Sequence, residues 1–450
     1  TYPSILGGRV KTLHPSVFGG ILARRENDED AGQLLKYGIP EIDLVIVDLY
    51  PFEETVKKSD KEEEIIEKID IGGISLIRAA AKNFRDVLVV SSVSQYKPLI
   101  DLLNEKNGVT SIDDRRNFAA RAFMTSSGYD TAIFKYFNRD SGISAFREAV
   151  DSSYPLRYGE NPHQKGVFFG DPAEIFDKLH GKEISYNNFL DIESALGLID
   201  EFDETTFVVI KHNNACGVAS RKDPADAWRD ALACDPVSAY GGVIACNVPV
   251  PEAVAEEIDR IFFEIIIAPE YSEAALDTLM QKKNRIILRR KSKAGSSNCF
   301  RSMLNGVLWQ ERDYSTETAT DMTPVTPKMP AAEETEDLVF ANKIVKHSKS
   351  NAIVLAKNRQ LCASGIGQTS RVDALKQAIE KAGAFGFDLK GAVMASDAFF
   401  PFPDCVEIAF NAGITAVVEP GGSVRDKDSI DFCSSHDMAM VFTGKRHFKH

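Results

Sequence analysis

Short apolar runs that alternate with segments of helical periodicity constrain the fold of this chain more than any other feature. The runs "LVIVDLYPF" at 44–52 and "DVLVVSS" at 86–92 are separated by a segment containing "ISLIRAAAKN". The pattern returns later, where "NAIVLAK", "GAVMAS" and "ITAVVEP" also have helical segments between them. Strands that alternate with helices predict an α/β fold, with a mostly parallel sheet in the first region. No internal repeat is visible in the sequence.

Three regions are predicted from the 450 residues. A long helical segment, 111–138, closes the first region near residue 150. The stretch "YSTETATDMTPVTPKMPAAEETED", 314–337, is rich in Thr, Pro and acidic residues and is predicted to be a surface connection. We therefore divide the chain at 1–150, 151–330 and 331–450. In the last region a helix is predicted over 370–382, with Ser370 as its N-cap.

Composition excludes several classes of function. A formal net charge of −13 argues against a general nucleic-acid binder but leaves room for small anionic ligands in a local cationic pocket. No run is long enough to cross a bilayer and no signal peptide is recognisable, so a cytoplasmic location is expected. The seven cysteines are widely spaced and predict free thiols. The chain lacks an initiator methionine, and we expect an upstream part to be absent.

The stretch "VVIKHNNACGVA", 208–219, poses the central question, because a buried strand runs into a polar cluster. Neighbouring residues on a strand point to opposite faces, so Lys211 and His212 can cooperate only at a turn. The pair Asn213–Asn214 followed by Gly217 is typical of turns. Taken alone, the stretch favours the alternative, a solvated strand end that carries a lysine and a core histidine.

Five stretches combine glycine or aromatic residues with charged groups at predicted element ends: "GGRVKTLHP", "LRYGENPHQ", "KHNNACG", "GIGQTSR" and "SDAFFPFPD". Arginine donates two parallel hydrogen bonds to phosphate, so Arg9, Arg157 and Arg371 are candidate phosphate ligands. Surface salt bridges are the alternative. No stretch matches a phosphate-binding or dinucleotide-binding glycine motif.

Two further stretches have competing interpretations. The aromatic and proline residues of "SDAFFPFPD" form either a wall that stacks a flat heterocycle or a strand end turning into the core. The terminal "TGKRHFKH" is, by itself, best interpreted as a solvated basic end or a tag remnant.

Together these stretches resemble one family, the bifunctional purine-biosynthesis proteins that join AICAR (phosphoribosyl-aminoimidazole-carboxamide) formyltransferase to IMP (inosine monophosphate) cyclohydrolase. Ten stretches occur in the family's order: "GGRVKTLHP", "DLYPF", "DIGGISLIRAAAKN", "LRYGENPHQ", "KHNNACGVA", "DPVSAYGG", "SNAIVLA", "GIGQTSRVDA", "SDAFFPFPD" and "KRHFKH". The resemblance implies a methylglyoxal-synthase-like parallel-sheet domain, incomplete at its start, followed by two cytidine-deaminase-like α/β subdomains. It also implies a ligand wall at the aromatic stretch and a docked C-terminal tail.

For formyl transfer, the resemblance implies that His212 is the general base for the 5-amine of AICAR and that 10-formyltetrahydrofolate is the co-substrate. Lys211 would support charge at the formyl oxygen or protonate the departing folate nitrogen, and both roles remain open. Asn351 would hold the carboxamide or the tetrahedral intermediate. The AICAR-binding positions are Arg157, Tyr158, Gly241, Glu264, Arg371, Phe399 and Arg446. The folate-binding positions are Val372, Asp404, Ser423 and Val424.

The zinc-ligand motifs of true deaminases are absent from the sequence, so transfer without a metal is expected. The family's transferase sites lie at a dimer interface, which implies a homodimer. For cyclisation, Lys82 matches the residue that shuttles protons. The matching substrate positions are Arg9, Val10, Lys11, Thr12, Val47, Asp48, Tyr50, Asp70 and Ile71.

Three functional hypotheses follow. The chain is a bifunctional enzyme acting on AICAR, formyl-AICAR, IMP and reduced folate; or it is a formyltransferase only, since family members carry several dozen more residues at the front, including a loop that grips the substrate phosphate. The third is a non-catalytic purine or folate binder, against which the presence of His212 argues.

Overall fold

The computed structural model describes residues 9–292 and 297–450, and the chain divides into two compact units. Unit 1 is Thr1–Ser152 and unit 2 is Ser153–His450. The elements of unit 1 are α1 Pro15–Leu22, α2 Asp28–Tyr37, β1 Leu44–Ile46, α3 Phe52–Lys58, α4 Glu62–Ile66, α5 Gly72–Lys82, β2 Leu88–Val90, α6 Tyr96–Glu105 and α7 Ile112–Ser141.

Unit 1 packs its helices around two strands. β1 pairs with β2 in parallel, as the alternation of strands and helices predicted. Buried residues of α5, β2 and α7, among them Ile77, Val89 and Ala122, share one apolar core. The strand predicted over 44–52 is wrong beyond Ile46, and α3 already begins at residue 52. Pro51 has no N–H to give to a sheet and is the N-cap of α3, which explains why a helix begins at residue 52.

Unit 2 contains most of the strands. Its helices are α8 Tyr186–Ile199, α9 Pro224–Ala233, α10 Glu252–Asp259, α11 Glu273–Leu279, α12 Ala332–Lys346, α13 Arg371–Ala384, α14 Asp404–Asn411 and α15 Asp426–Ser435. Its strands are β3 Ser153–Pro155, β4 Val167–Phe169, β5 Phe176–His180, β6 Thr206–Lys211, β7 Asn214–Ser220, β8 Val243–Cys246, β9 Ile265–Ala268, β10 Ile286–Arg290, β11 Asn298–Met303, β12 Gly306–Glu311, β13 Thr323–Pro324, β14 Ile353–Lys357, β15 Gln360–Gly365, β16 Val393–Ser396, β17 Ala416–Glu419 and β18 Ala439–Phe442.

A mixed twelve-stranded sheet runs through unit 2 in the order β13-β18-β17-β16-β14-β15-β7-β6-β8-β9-β10-β5. The pairs β8·β9, β9·β10, β16·β17 and β17·β18 are parallel, whereas the central pairs and the two edge pairs, β13·β18 and β10·β5, are antiparallel. Strands β6, β14 and β17 are buried almost throughout, so helices and loops cover both faces of the sheet. Ser370 caps α13 by accepting a hydrogen bond from the N–H of Asp373, as predicted.

The two halves of this sheet repeat one element order. The series α8-β6-β7-α9-β8-α10-β9-α11-β10 corresponds to α12-β14-β15-α13-β16-α14-β17-α15-β18. In each half, the sixth residue of the first helix is an aspartate, Asp191 or Asp337, that accepts backbone N–H groups of the following hairpin turn. The halves meet where β7 pairs with β15. The halves therefore form an internal repeat of structure, although no repeat is visible in the sequence.

The stretch 314–337 is only partly a surface connection. Glu317 is 2% exposed and Met322 is 8% exposed, and the stretch also contains β13 and the start of α12. Its polar composition misled the prediction, because the carboxylate of Glu317 is buried against His447 of the C-terminal tail. The cysteines are free, as predicted. None of the described helices is both long and apolar enough to cross a membrane.

Candidate functional site

A two-residue hairpin turn presents the candidate base. β6 ends at Lys211 and β7 begins at Asn214, so His212 and Asn213 form the turn, with φ of 51° and 65°. Positive φ at both residues is the geometry that best fits the twist of a tight hairpin. The Asn213 N–H donates to Asp191 Oδ1 at 2.7 Å, and burial raises the pKa of that carboxyl. The His212 side chain is exposed, so the alternative of a core histidine is wrong.

Lys211 lies against the loop that precedes β8. Its Nζ donates to the carbonyl oxygen of Tyr240 at 2.8 Å. A Cβ on Gly241, whose φ is 71°, would lie 3.1 Å from the same Nζ, so glycine suits both the backbone and the close approach. The N–H of Glu264 donates to the Gly242 carbonyl oxygen at 3.0 Å, which places Glu264 next to this loop. Three predicted positions are thus brought together.

A second cluster surrounds Arg371. Its Nη2 donates to Asn351 Oδ1 and to Asp397 Oδ1, both at 2.9 Å, and its Nη1 donates to the carbonyl oxygen of Phe399 at 3.1 Å. The Arg371 side chain is 9% exposed and that of Asp397 is fully buried. The Asn351 amide nitrogen donates to the carbonyl oxygens at 368–369, at 3.0 and 3.3 Å. This is a buried network and not the surface salt bridge considered as the alternative for Arg371.

The hairpin turn and the Arg371 cluster are joined through the chain around residue 350. The N–H of Lys349 donates to Asn214 Oδ1 at 3.1 Å. Asn214 is two residues after His212, and Lys349 is two residues before Asn351. The N–H of Ser350 donates to the Lys449 carbonyl oxygen at 2.9 Å, and the Lys449 N–H donates to Ser350 Oγ at 3.1 Å. The C-terminal tail is therefore docked beside Asn351, and its interpretation as a solvated end is wrong.

The candidate folate residues lie on three segments of the second half of the sheet. Val372 is in the first turn of α13, Asp404 begins α14, and residues 423–424 precede α15. The guanidinium of Arg425 lies 4.8 Å from the centroid of the Phe402 ring, which joins the last two segments. These positions therefore border one region, next to the aromatic stretch 399–402.

A buried glutamate supports this aromatic stretch. Glu419 Oε2 accepts the N–H of Phe400 at 2.7 Å, and its Oε1 has no partner among the described residues. Burial raises the pKa of Glu419 to about 8. Phe400 is fully buried, as in the core alternative, whereas Phe399 is 36% exposed and Phe402 is 49% exposed. The stretch is both a core element and an accessible wall.

Three predicted substrate positions are not bonded to the turn. Arg157 and Tyr158 follow β3, with the guanidinium 5.5 Å from the tyrosine ring centroid. The Arg446 guanidinium lies 4.4 Å from the Phe448 ring centroid. Within residues 9–292 and 297–450, no hydrogen bond or ion pair links these three side chains to His212.

In unit 1, the loop from Arg9 to Thr12 carries four predicted substrate residues, and it lies beside the start of α5. Arg9 pairs with Glu67 on the surface, as its alternative interpretation allowed. A Cβ on Gly72 would lie 2.7 Å from Thr12 Oγ1, so the loop and the helix start touch. Asp70 is 9% exposed and accepts a backbone N–H of the first turn of α5 at 2.5 Å. This loop and Asp70 form one cluster.

The segment after β1 approaches the same cluster. The Val47 N–H donates to the carbonyl oxygen of Val90 at 3.0 Å, and Asp48 accepts the hydroxyl of Tyr96. The exposed ring of Tyr50 lies 5.7 Å from the Nζ of Lys68, which is two residues before Asp70. Tyr50 is therefore beside this cluster, as the resemblance implies.

Lys82 is not brought to this cluster. Ile71 is the N-cap of α5 and Lys82 is its last residue. Eleven residues of α-helix span about 16 Å, so the two lie at opposite ends of the element. Both side chains are exposed. The catalytic role of Lys82 remains a prediction.

Sequence reasoning missed the residues that hold these clusters in place. Asp191 anchors the turn, Asp397 pairs with Arg371, and the hydroxyl of Tyr129 accepts the N–H of Asp70 at 3.0 Å. Asp397 belongs to the quoted stretch "SDAFFPFPD", so a signal existed for it. Asp191 and Tyr129 have no motif, because their partners are 22 and 59 residues away. In the described ranges, no group of three or more His, Cys, Asp and Glu side chains is arranged to hold a metal ion.

A mixed α/β sheet with polar side chains gathered where its strands end is the arrangement of α/β enzymes that bind small polar ligands there. Residues 80–381 match the family described as AICARFT/IMPCHase bienzyme, and the chain belongs to this family.

Two curated relatives and one solved structure are similar. The chain is 64% identical over 450 residues to the bifunctional purine biosynthesis protein PurH of Bacteroides thetaiotaomicron, covering all of this chain and 89% of that protein. It is 46% identical over 464 residues to PurH of Persephonella marina, covering all of this chain and 90% of that protein. The crystal structure of ForH is 37% identical over 32% of this chain and 72% of that chain, with a TM-score of 0.26.

Proposed function

We propose that unit 2 transfers the formyl group of 10-formyltetrahydrofolate to AICAR and that unit 1 closes formyl-AICAR to IMP. Family membership makes the chain a bifunctional enzyme of purine biosynthesis, and the proposal assigns the two activities to its residues. The observation that carries it is the hairpin turn, which exposes His212 beside Lys211 and is bonded through Asn214 to the segment of Asn351.

His212 is the general base. The 5-amine of AICAR is a weak nucleophile, and a neutral imidazole near pH 7 can accept its proton as the amine attacks the formyl carbon. The new bond joins the amine nitrogen to the formyl carbon, and the bond between that carbon and N10 of the folate breaks. N10 then receives a proton, which gives tetrahydrofolate.

Lys211 stabilises the oxygen of the tetrahedral intermediate. Its ammonium group has three N–H donors, and one is used by the carbonyl oxygen of Tyr240. Two donors therefore remain for the formyl oxygen, on which negative charge develops. Protonation of N10 is the alternative role for the same ammonium group.

Asn351 holds the carboxamide of AICAR. Both of its N–H donors are engaged by the carbonyl oxygens at 368–369, so it cannot donate to an oxyanion without giving one up. Its Oδ1 accepts one hydrogen bond from Arg371 and has a second lone pair. That lone pair suits an N–H of the substrate carboxamide, which favours the positioning role over the oxyanion role.

The folate lies along the second half of the sheet. The exposed rings of Phe399 and Phe402 provide a wall for a flat heterocycle. Asp404 Oδ1 accepts the N–H of Cys405 at 2.9 Å, which leaves its other oxygen for N–H donors of a pterin. Val372 and the exposed Val424 add apolar contact at the edges.

The cyclohydrolase site is the cluster of the Arg9–Thr12 loop, Asp70 and the Asp48–Tyr50 segment. The carboxamide nitrogen attacks the formyl carbon, and water is lost from the carbinolamine that forms. The backbone N–H groups at the start of α5 and the cation of Arg9 suit an anionic nucleotide. In this proposal Lys82 moves protons. Lys82 lies at the opposite end of α5 from Ile71, so its side chain must come closer to the Asp70 cluster than the helix places it.

A homodimer is part of this proposal, and the hairpin β11–β12 supports it. Leu304 at its tip is 100% exposed, and Leu308 and Trp309 are 55% and 53% exposed. Apolar exposure of this kind is typical of a surface that is covered in an assembly. Sedimentation of the intact protein should give the mass of a dimer, and Trp309→Asp should shift it toward the monomer.

The function is tested by supplying AICAR and 10-formyltetrahydrofolate to the intact protein. Tetrahydrofolate release and IMP formation are followed independently in the same reaction. The proposal predicts both products. Folate release without IMP would restrict the chain to formyl transfer, and the absence of both would refute the assignment to this chain.

A further inference from the structure

A buried histidine in the C-terminal tail lies between two carboxylates. His447 Nδ1 is 2.6 Å from Asp313 Oδ2, and His447 Nε2 is 2.8 Å from Glu317 Oε2. The His447 and Glu317 side chains are 3% and 1% exposed. Only a doubly protonated imidazolium can donate to both oxygens, because a neutral ring would turn a lone pair toward one carboxylate. The bridge is therefore charged.

The pKa values agree with this geometry. Burial opposes protonation of His447, but the hydrogen bonds and charges of its two carboxylate partners outweigh that effect and raise the pKa of the imidazole to about 9. The same bridge lowers the pKa of Asp313 and holds that of Glu317 at about 2.

The bridge fixes the residues on both sides of Arg446. The His447 N–H donates to the carbonyl oxygen of Asp397 at 3.0 Å, and the Asp397 carboxylate binds Arg371. On the other side, Lys445 Nζ donates to Ser315 Oγ at 2.7 Å. The backbone of Arg446 thus has little freedom, while its guanidinium remains exposed.

We propose that His447 is a positioning residue for formyl transfer, which holds Arg446 and the Arg371–Asp397 pair in place by bridging Asp313 and Glu317. The inference rests on the proposed function in one respect, since it takes Arg446 to bind the anionic substrate. Neither Asp313 nor Glu317 belongs to the residues assigned by resemblance, so the bridge adds a new part to the site.

The charged groups that face this bridge define its pH dependence. Two of them, Asp313 and Glu317, are in the bridge itself. Lys445 lies 3.7 Å from Glu317, and the charge of Lys346 helps to lower the pKa of Asp313. Asp397 is on the other side of the tail, where its carbonyl oxygen accepts the His447 N–H. His447 has a folded pKa above its ordinary 6.5, so its stabilising effect is complete below pH 6.5 and is lost as pH rises through about 9.

The test is a double-mutant cycle on the intact enzyme, with AICAR as the varied substrate. His447→Gln should raise KM by roughly 10- to 100-fold with kcat changed much less, because it misplaces a binding group. Arg446→Gln should raise KM to a similar extent, and the double variant should raise KM by much less than the product of the two single effects, since His447 acts in large part through Arg446. Additive effects would refute the positioning role. His436→Gln, an exposed histidine on the surface of the same unit, is the control and should leave KM unchanged.

Two further measurements separate the possible failures. If Arg446→Gln leaves KM unchanged, the proposed substrate site is wrong; if it raises KM while His447→Gln does not, only the present inference is wrong. Wild-type KM should rise as pH passes about 9, and His447→Gln should lack that rise. In His447→Gln the buried carboxylate of Glu317 has lost its imidazolium partner, so adding Glu317→Gln removes that buried charge and should recover part of the loss. Retention of the pH 9 limb, or no recovery although the variant folds by circular dichroism, would refute the proposal.

Discussion

His212 occupies a left-handed backbone position, which decides how its role can be tested. Asparagine adopts positive φ more readily than most residues, so His212→Asn keeps the turn and removes the base. We expect the rate of formyl transfer to fall by roughly 10²- to 10⁴-fold, the usual contribution of a general base. The melting temperature should be almost unchanged, because the side chain is exposed. Folate release in single turnovers and circular dichroism measure the two quantities.

His436→Asn is the matched control for this substitution, since His436 is exposed and lies outside the candidate site. It should leave the rate of formyl transfer unchanged. An undiminished rate in His212→Asn would discredit the base, and an equal loss in both variants would show that the effect is unspecific.

Glu419 gives a prediction about stability and pH. Its folded pKa of about 8 lies above its ordinary 4.5, so the unfolded chain ionises first and native stability falls as pH rises from 4.5 to 8. Glu419→Gln can still accept the Phe400 N–H and has no charge to bury. The variant should therefore be more stable than the wild type by about 3 to 5 kcal/mol at pH 8, with no difference near pH 4.5. Urea unfolding at both pH values measures this, and an equal difference at both would contradict it.

At the scale of residues, the sequence is informative where the chemistry is local. The pair Asn213–Asn214 after a strand predicts a turn, and the structure has one there. Asp191 is not predictable in this way, because nothing near it in sequence indicates that its partner is a turn 22 residues later. A carboxylate on a helix is ordinarily a solvated group, and only the fold gives Asp191 its partner.

Among the elements, α13 carries two candidate site residues, Arg371 and Val372, in its first turn. Loss of its N-cap should therefore affect both substrate binding and stability. Ser370 Oγ accepts the N–H of Asp373 at 3.2 Å, and Arg371 and Val372 follow the cap directly. Ser370→Ala should lower the free energy of unfolding by about 1 kcal/mol. It should also raise KM for both transferase substrates several-fold, because both positions lie in the loosened turn. Urea unfolding and initial rates measure these effects.

Ser111→Ala is a matched control, because Ser111 caps α7 of unit 1 in the same way, through the N–H of Asp114. It should cost a similar free energy without changing KM for formyl transfer. If both variants changed KM equally, the effect of Ser370 would be global and not local.

The strands were easier to predict from the sequence than the order in which they pair in the sheet. The apolar runs predicted strands close to those observed, since β-branched residues in short buried runs have few alternatives. The antiparallel centre of the sheet was not predictable, because it depends on pairings between distant strands. The equivalent turns, His212–Asn213 and Asn358–Arg359, both have positive φ but differ in residue type at each position, so the turn residues themselves do not reveal the repeat.

The whole chain combines two units with separate chemistry, and the variants of one unit should leave the other reaction intact. Asp70→Asn keeps the oxygen that accepts the N–H of α5 and removes the charge. We expect IMP formation to fall by at least 10-fold, in line with loss of a group that positions substrate. Formyl transfer should continue at the wild-type rate, so formyl-AICAR should accumulate, and chromatography of the reaction measures this.

The central claim, that formyl transfer occurs at the His212 turn of unit 2 and cyclisation at the Asp70 cluster of unit 1, is tested most directly in one experiment. Wild type, His212→Asn and Asp70→Asn are each given AICAR and 10-formyltetrahydrofolate, and tetrahydrofolate and IMP are followed together. The prediction is that His212→Asn loses both products, whereas Asp70→Asn loses only IMP. Undiminished folate release by His212→Asn, or loss of folate release by a folded Asp70→Asn, would contradict it.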